Sequence, residues 1–162
     1  MRLIILGRLT LSEIARLTSS VVIITKDRPE NLRKLLRSLV KQSLKPDEVL
    51  VVDNNSNLSY HAVFSEFQSE LPLRIFVEMT PGIPAARNRG IHEARGEIIL
   101  FTDDDCEADP FWVENMVKPF YQNPYIGVVG GEILSVKKIG NLVEEFCVSE
   151  TLMRIGRLEE GT

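Results

Sequence analysis

Cysteine is scarce in this 162-residue chain: Cys106 and Cys147 stand far apart, without a C-x-x-C spacing or a neighbouring histidine pair. That excludes a disulfide framework and a cysteine-based zinc site as organising devices, and it suits a reducing compartment. Long apolar runs are missing too. The N-terminal MRLIILG is broken by Arg8, too soon for a secretory h-region and far too soon to cross a bilayer. Basic residues are not in excess: 19 Lys and Arg stand against 23 Asp and Glu, a net charge of -4, which speaks against a nonspecific nucleic-acid binder. Internal repeats and low-complexity tracts are absent. No G-x-G-x-x-G follows the first apolar run, which removes a simple dinucleotide-binding reading. What remains, with 44% hydrophobic and 26% charged residues, is ordinary globular composition with enough length for one domain and its core.

Residues 1–20 read as an N-terminal extension, with Arg2, Arg8 and Arg16 set against Glu13, and Leu9, Leu11, Ile14 and Leu17 in loosely helical spacing. Its charge pattern leaves room for contact with a membrane surface. The ordered domain, 21–162, is expected to begin at Val21, where the β-branched VVIIT suits a strand covered on both faces. Asp27 and Glu30 form a capping-box-like start, Pro29 suits a first turn, and Leu32, Leu35, Leu36, Leu39 and Val40 predict a helix. EVLVVD then gives a second buried strand ending at Asp53, which completes a βαβ unit and makes the two strands parallel. A helix over Tyr60 to Leu71, a strand near Leu73 to Glu78 and a helix from Pro84 continue the alternation. A helix capped at Asp109 and Pro110 and ended by Asn123 and Pro124 should follow the fourth strand. Beyond it, Ile126 to Gly131 and Glu132 to Lys137 read as short strands and Leu142 to Ile155 as a last helix. The fold class is therefore α/β, a Rossmann-like, largely parallel sheet flanked by helices.

Chemistry concentrates in EIILFTDDDC, a buried strand that runs straight into Asp103, Asp104 and Asp105. Adjacent carboxylates repel, so a cation is their natural partner, and oxygen ligands suit Mg or Mn. Side chains alternate in an extended segment, which turns Asp103 and Asp105 one way and Asp104 the other. We expect Asp105 to touch the metal, Asp103 to serve ribose or metal, and Asp104 to support either. In a parallel sheet the ligand lies beyond the carboxyl ends of the strands, and this brings the stretch from Thr25 to Arg28 and that from Asp53 to Ser56 to the same edge. A hard cation beside an acid that can bind a ribose or base points to a nucleoside diphosphate, with Arg87 and Arg89 contacting phosphate or bracing the acids. His61 and His92 read as surface residues, and Trp112 and Phe120 as core.

Four segments taken together, VVIITKDRPENL, VLVVDNNS, GIPAARNRGIHEARGEIILFTDDDC and the pair Gly130 and Gly131, resemble the nucleotide-sugar-binding half of a family 2 glycosyltransferase with the GT-A type of fold. The resemblance covers roughly Ser20 to Val136. It implies that Thr25 and Asp27 lie against the nucleotide base, that Asp53 hydrogen-bonds that base, and that Arg87 stands beside the nucleotide. It places Asp103 and Asp105, as a D-x-D motif, on ribose, diphosphate and metal. The implied activity is metal-dependent, inverting transfer of a sugar from a nucleoside-diphosphate sugar to a hydroxyl acceptor, such as a sugar or a lipid-linked one, in polysaccharide or glycan synthesis. The implied setting is the cytoplasm or the inner face of its membrane. Such families carry an acidic base well beyond the glycine pair, and Thr162 comes before that distance. No catalytic base is assigned: Glu144, Glu145, Glu159 and Glu160 lie on or after a solvated helix, and Cys106 stands where another acid is often found. The rival expectation is a non-catalytic nucleotide-sugar-binding module, or one part of a split enzyme completed by a partner chain.

Overall fold

The computed structural model describes residues 17–123, 125–131, 138–139 and 142–143. Four parallel strands, β1 (Ser19–Thr25), β2 (Glu48–Asp53), β3 (Leu73–Val77) and β4 (Ile98–Asp103), form one sheet in the order β3-β2-β1-β4. The helices are α1 (Pro29–Val40), α2 (His61–Phe67), α3 (Ile83–Glu93) and α4 (Trp112–Gln122). Alternate residues of the central strands bury opposite faces. Val21, Ile23, Val49 and Val51 pack with Leu32, Leu35, Leu36 and Leu39 of α1, Val63 and Phe67 of α2, and Val113 and Val117 of α4. The other face is covered by α3, whose Gly90 comes so near that a Cβ there would lie 2.4 Å from Val22 Cγ1. Both faces of β1 and β2 are thus apolar, which is why their sequences run without alternation.

The sheet begins at Ser19 rather than Val21, because the polar residues ahead of the apolar run find hydrogen-bond partners at the start of β2. Ser19 N donates to Asp47 Oδ2 at 2.8 Å, and Ser20 Oγ donates to Glu48 Oε1 at 2.6 Å. α1 starts at Pro29 as expected, but no side chain caps it. Asp27 takes a positive φ of 53° and its carboxylate serves another loop, so the capping-box expectation fails. α4 begins at Trp112, later than expected, since Asp109 Oδ1 accepts from Phe111 N in a turn ahead of the helix. Residues 126–131 form no strand, and Leu142–Val143 pair as a short strand, β6, with β5 (Lys138–Ile139) instead of opening a helix. The expected strand over Glu132 to Lys137 and the remainder of the last helix lie outside the described residues, as do residues 1–16.

Register assembles the site. Thr25 pairs with Asp53 across β1 and β2, and Ile24 pairs with Asp103 across β1 and β4. The strand order reverses at β1, so the carboxyl ends of β1 and β4 open where a doubly wound sheet offers a ligand crevice.

Candidate functional site

A cavity of about 600 Å³ lies at those strand ends, between the β1–α1 turn, the loop leading into α3, and the three aspartates. Its walls include Thr25, Asp27, Arg87, Asp103, Asp104 and Asp105, so six expected site residues from separate stretches meet there. The chain enters α3 through Gly82 at φ 113°, a conformation that L side chains rarely adopt and that glycine allows. This turn sets Arg87 opposite β4, with Nη2 3.8 Å from Asp103 Oδ1.

The triplet divides by exposure along the expected line, although Asp104 and Asp105 lie in the turn after β4 rather than in an extended segment: the side chains of Asp103 and Asp105 are 63% and 57% exposed, and that of Asp104 is 5%. Asp104 is fastened from β1. Thr25 Oγ1 donates to Asp104 Oδ2 at 2.7 Å, and Arg28 Nη1 donates to Oδ1 at 3.2 Å. Thr25 Oγ1 is also 2.9 Å from Tyr60 OH, which lies 3.2 Å from Ser56 Oγ. A threonine hydroxyl has one proton, and it goes to Asp104, so Tyr60 must donate to Thr25 and Ser56 to Tyr60. The result is a one-way chain of donors, Ser56 to Tyr60 to Thr25 to Asp104, that ends on the carboxylate. Tyr60 OH also accepts from Arg28 N at 3.2 Å, and Ser56 Oγ accepts from Asp27 N at 2.8 Å.

Asp27 and Asp53 form the joint between the loops after β1 and β2. Asp27 Oδ1 accepts from Asn57 N at 2.6 Å and Leu58 N at 3.2 Å, and Asp53 Oδ1 accepts from Ser56 N at 2.9 Å. Asp53 is 8% exposed and is not among the residues that line the cavity, whereas its neighbour Asn54 is. Asn54 Nδ2 donates to Thr80 O at 2.8 Å and Glu78 O at 3.2 Å, and its Oδ1 accepts from Gly82 N at 2.9 Å. One buried amide therefore fixes the loop that delivers α3 and Arg87. Neither Asn54 nor Tyr60 stood out in the sequence. The Asp-Asn-Asn run was the available signal for Asn54, while the helical spacing of Tyr60 accounts for its ring and not for its hydroxyl.

Arg89 does not reach the triplet: its Nη2 pairs with Glu93 Oε1 at 3.0 Å, and its guanidinium lies over the Phe76 ring at 5.4 Å. His61 and His92 are exposed, and Trp112 and Phe120 pack against the core. Cys106 closes the turn after β4, where its N–H donates to Asp103 O.

The donor set suits a hard divalent cation in kind, with two exposed carboxylates, Asp103 and Asp105, turned into a polar cavity. Among the described residues no three acidic, histidine or cysteine side chains converge to hold one. Mg and Mn are commonly bound by one or two carboxylates together with substrate phosphates, and this arrangement fits that use.

A parallel sheet in this order, flanked by helices and with acids at the mouth of β4, has the GT-A type of fold. The mannosyltransferase PcManGT of Pyrobaculum calidifontis, solved with GDP-Man and Mn2+, superposes with a TM-score of 0.66 at 24% identity, over 75% of this chain and 37% of that one. The 1–349 fragment of S. aureus TarS, solved with UDP, gives 0.59 at 22% identity over 72% of this chain and 41% of that fragment. Residues 20–143 match the profile of Glycosyl transferase family 2, and the chain belongs to that family. Similar proteins include the O-antigen biosynthesis protein RfbC of Myxococcus xanthus, 34% identical over 71% of this chain and 9% of RfbC. The uncharacterized glycosyltransferase YwdF of Bacillus subtilis is 38% identical over 61% of this chain and 37% of YwdF. Glycosyltransferase AglE of Haloferax volcanii is 33% identical over 70% of this chain and 38% of AglE. The matched region thus spans well under half of each of these relatives.

Proposed function

We propose that this chain is the donor-binding portion of an inverting glycosyltransferase, holding a nucleoside-diphosphate sugar with Mg or Mn for transfer to a hydroxyl acceptor in glycan or polysaccharide synthesis. The observation that carries the reading is the division within the triplet at the cavity: Asp104 is buried and held by Thr25 and Arg28, while Asp103 and Asp105 stay exposed there. Thr25, Asp27 and Asn54 bound the nucleoside end, and Asp53, set back from the cavity wall, reaches a base only if the loop that its bond to Ser56 N holds gives way. Arg87 stands by the nucleotide, Asp103 serves ribose and metal, Asp105 serves metal, and Asp104 keeps both neighbours aimed. A bound divalent cation would neutralise the charge that gathers on the departing diphosphate. In the reaction the acceptor hydroxyl attacks the anomeric carbon, its proton passes to a base, and the nucleoside diphosphate leaves with the bonding electrons.

The base is assigned to no residue here. Glu144, Glu145, Glu159 and Glu160 lie outside the described residues. With relatives more than twice as long as the matched region, acceptor binding and proton removal belong to sequence beyond it or to a partner chain. The same observation favours a second reading, a nucleotide-sugar-binding module that does not turn over by itself. No helix among the described residues is long and apolar enough to cross a membrane. We place the chain in the cytoplasm or at the inner membrane face, where nucleotide sugars and lipid-linked acceptors meet.

Calorimetric titration of UDP, GDP and dTDP, each with Mn2+ and again with EDTA, tests the donor site. Binding of one nucleotide that is lost with EDTA and in Asp105→Ala is expected; binding indifferent to both would remove the metal role. Donor hydrolysis or transfer by the 162-residue chain alone would overturn the binding-module reading.

A further inference from the structure

Arg28 has no role in the sequence reading, yet it holds the central electrostatic position in the cavity. Its Nη1 lies 3.2 Å from Asp104 Oδ1 and 3.6 Å from Asp105 Oδ2, so one end of a guanidinium spans both carboxylates. The acids are held unequally. Asp104 is 5% exposed and also receives Thr25 Oγ1, whereas Asp105 is 57% exposed and its ion pair is with Arg28. Arg28 is itself 57% exposed, so its side chain can swing away with little change in solvation. Its backbone is not free in the same way, because its N–H is tied to Tyr60 OH. With the guanidinium in this place, part of the charge on Asp104 and Asp105 is offset by an organic cation, and the three carboxylates do not converge on a common point.

We propose that Arg28 is an exchangeable counter-ion of the aspartates, holding Asp105 beside Asp104 until a nucleoside diphosphate arrives with its divalent cation. It then yields Asp105 to that cation and turns its guanidinium onto the diphosphate. The proposal rests on the donor-site reading above. A guanidinium suits the exchange because its planar fork matches carboxylate and phosphate alike. Lys26 and Arg87 line the same cavity, so a diphosphate entering it meets cations on several sides while the cation it carries is drawn to the acids. Each ligand then favours the other. A divalent cation alone has to compete with Arg28 for Asp105, and a diphosphate alone finds Arg28 already engaged.

The test uses calorimetry on the 162-residue chain with MnCl2 alone, and with UDP, GDP and dTDP in the presence of MnCl2. Arg28→Ala should bind Mn2+ alone roughly three- to fivefold more tightly, the effect of removing a competing ion pair at an exposed site. The same variant should bind the preferred nucleotide with Mn2+ about tenfold or more weakly, having lost a charged hydrogen bond to phosphate. Arg28→Lys, which keeps the charge without the fork, should fall between wild type and Arg28→Ala in both measurements. The proposal is overturned if Arg28→Ala holds Mn2+ no more tightly than wild type, or holds the nucleotide no less tightly. If the wild-type chain binds none of the three nucleotides with Mn2+, the donor-site reading fails, while the titrations with MnCl2 alone still decide whether Arg28 competes for Asp105.

Discussion

Three adjacent aspartates with one charge each do two different jobs. Asp104 accepts from Thr25 and Arg28 inside the fold, so Asp104→Ala should lower unfolding free energy by about 1 to 3 kcal/mol, leaving those donors unpaired. Asp103→Ala and Asp105→Ala, at exposed positions, should change it by no more than about 0.5 kcal/mol while weakening nucleotide binding with Mn2+. Urea melts read beside calorimetry separate the two kinds of effect. Tyr60→Phe should cost about 1 to 2 kcal/mol, because Thr25 loses its donor and Arg28 N its acceptor although the ring still packs. The division within the triplet was only half legible in the sequence: alternation sets Asp104 apart from Asp103, but β4 ends at Asp103, and the exposure of Asp105 comes from the turn that Cys106 closes rather than from an extended segment. The role of Tyr60 was not legible, because a hydroxyl's partners depend on register between distant strands. Asp27 misled for a related reason: its spacing to Glu30 imitates a cap, but its positive φ sends the carboxylate to Asn57 and Leu58.

The elements that frame the site were readable where burial is two-sided or strongly periodic. VVIIT, EVLVVD and the leucines of α1 each left one physical option. IGVVGG was not readable in that way. Its composition suits a strand, but a strand needs a ladder, and residues 126–131 have none, with Val128 45% exposed. α3 carries the hardest constraint of the framework. Its Gly90 faces Val22, a β-branched side chain fixed in the sheet, so Gly90→Ala should destabilise by about 1 to 3 kcal/mol through overpacking. Because α3 also carries Arg87, the same change should weaken nucleotide binding more than its exposed neighbour Ile91→Ala does, as paired melts and titrations would show.

Across the whole molecule, the end of the sheet opposite the cavity is tied by carboxylates, and the buried one among them, Glu48, reaches furthest. Glu48 accepts from Ser20 Oγ, Arg95 N and Arg74 Nη1, joining β1, β2, β3 and the turn into β4. Burial works against its charged form, but these donors outweigh it and hold the carboxyl below its ordinary value of 4.5. A folded-state value below the unfolded one means the contribution is complete above about pH 4.5 and is lost as pH falls through the folded value. Acid titration of melting temperature should therefore steepen below that pH, and Glu48→Gln should flatten the slope while lowering stability at neutral pH. The two ends of the sheet are thus under separate control, one by a buried acid and the other by an acid pair open to solvent.

That Asp104 faces inward has a consequence for how chains of this kind diverge. Changes at its position should be accompanied by changes at Thr25 and Arg28, because those side chains share its hydrogen bonds. Changes at Asp103 and Asp105 should instead track the nucleotide and metal a given descendant uses. A single short acidic motif would then carry two independent evolutionary histories, interleaved residue by residue.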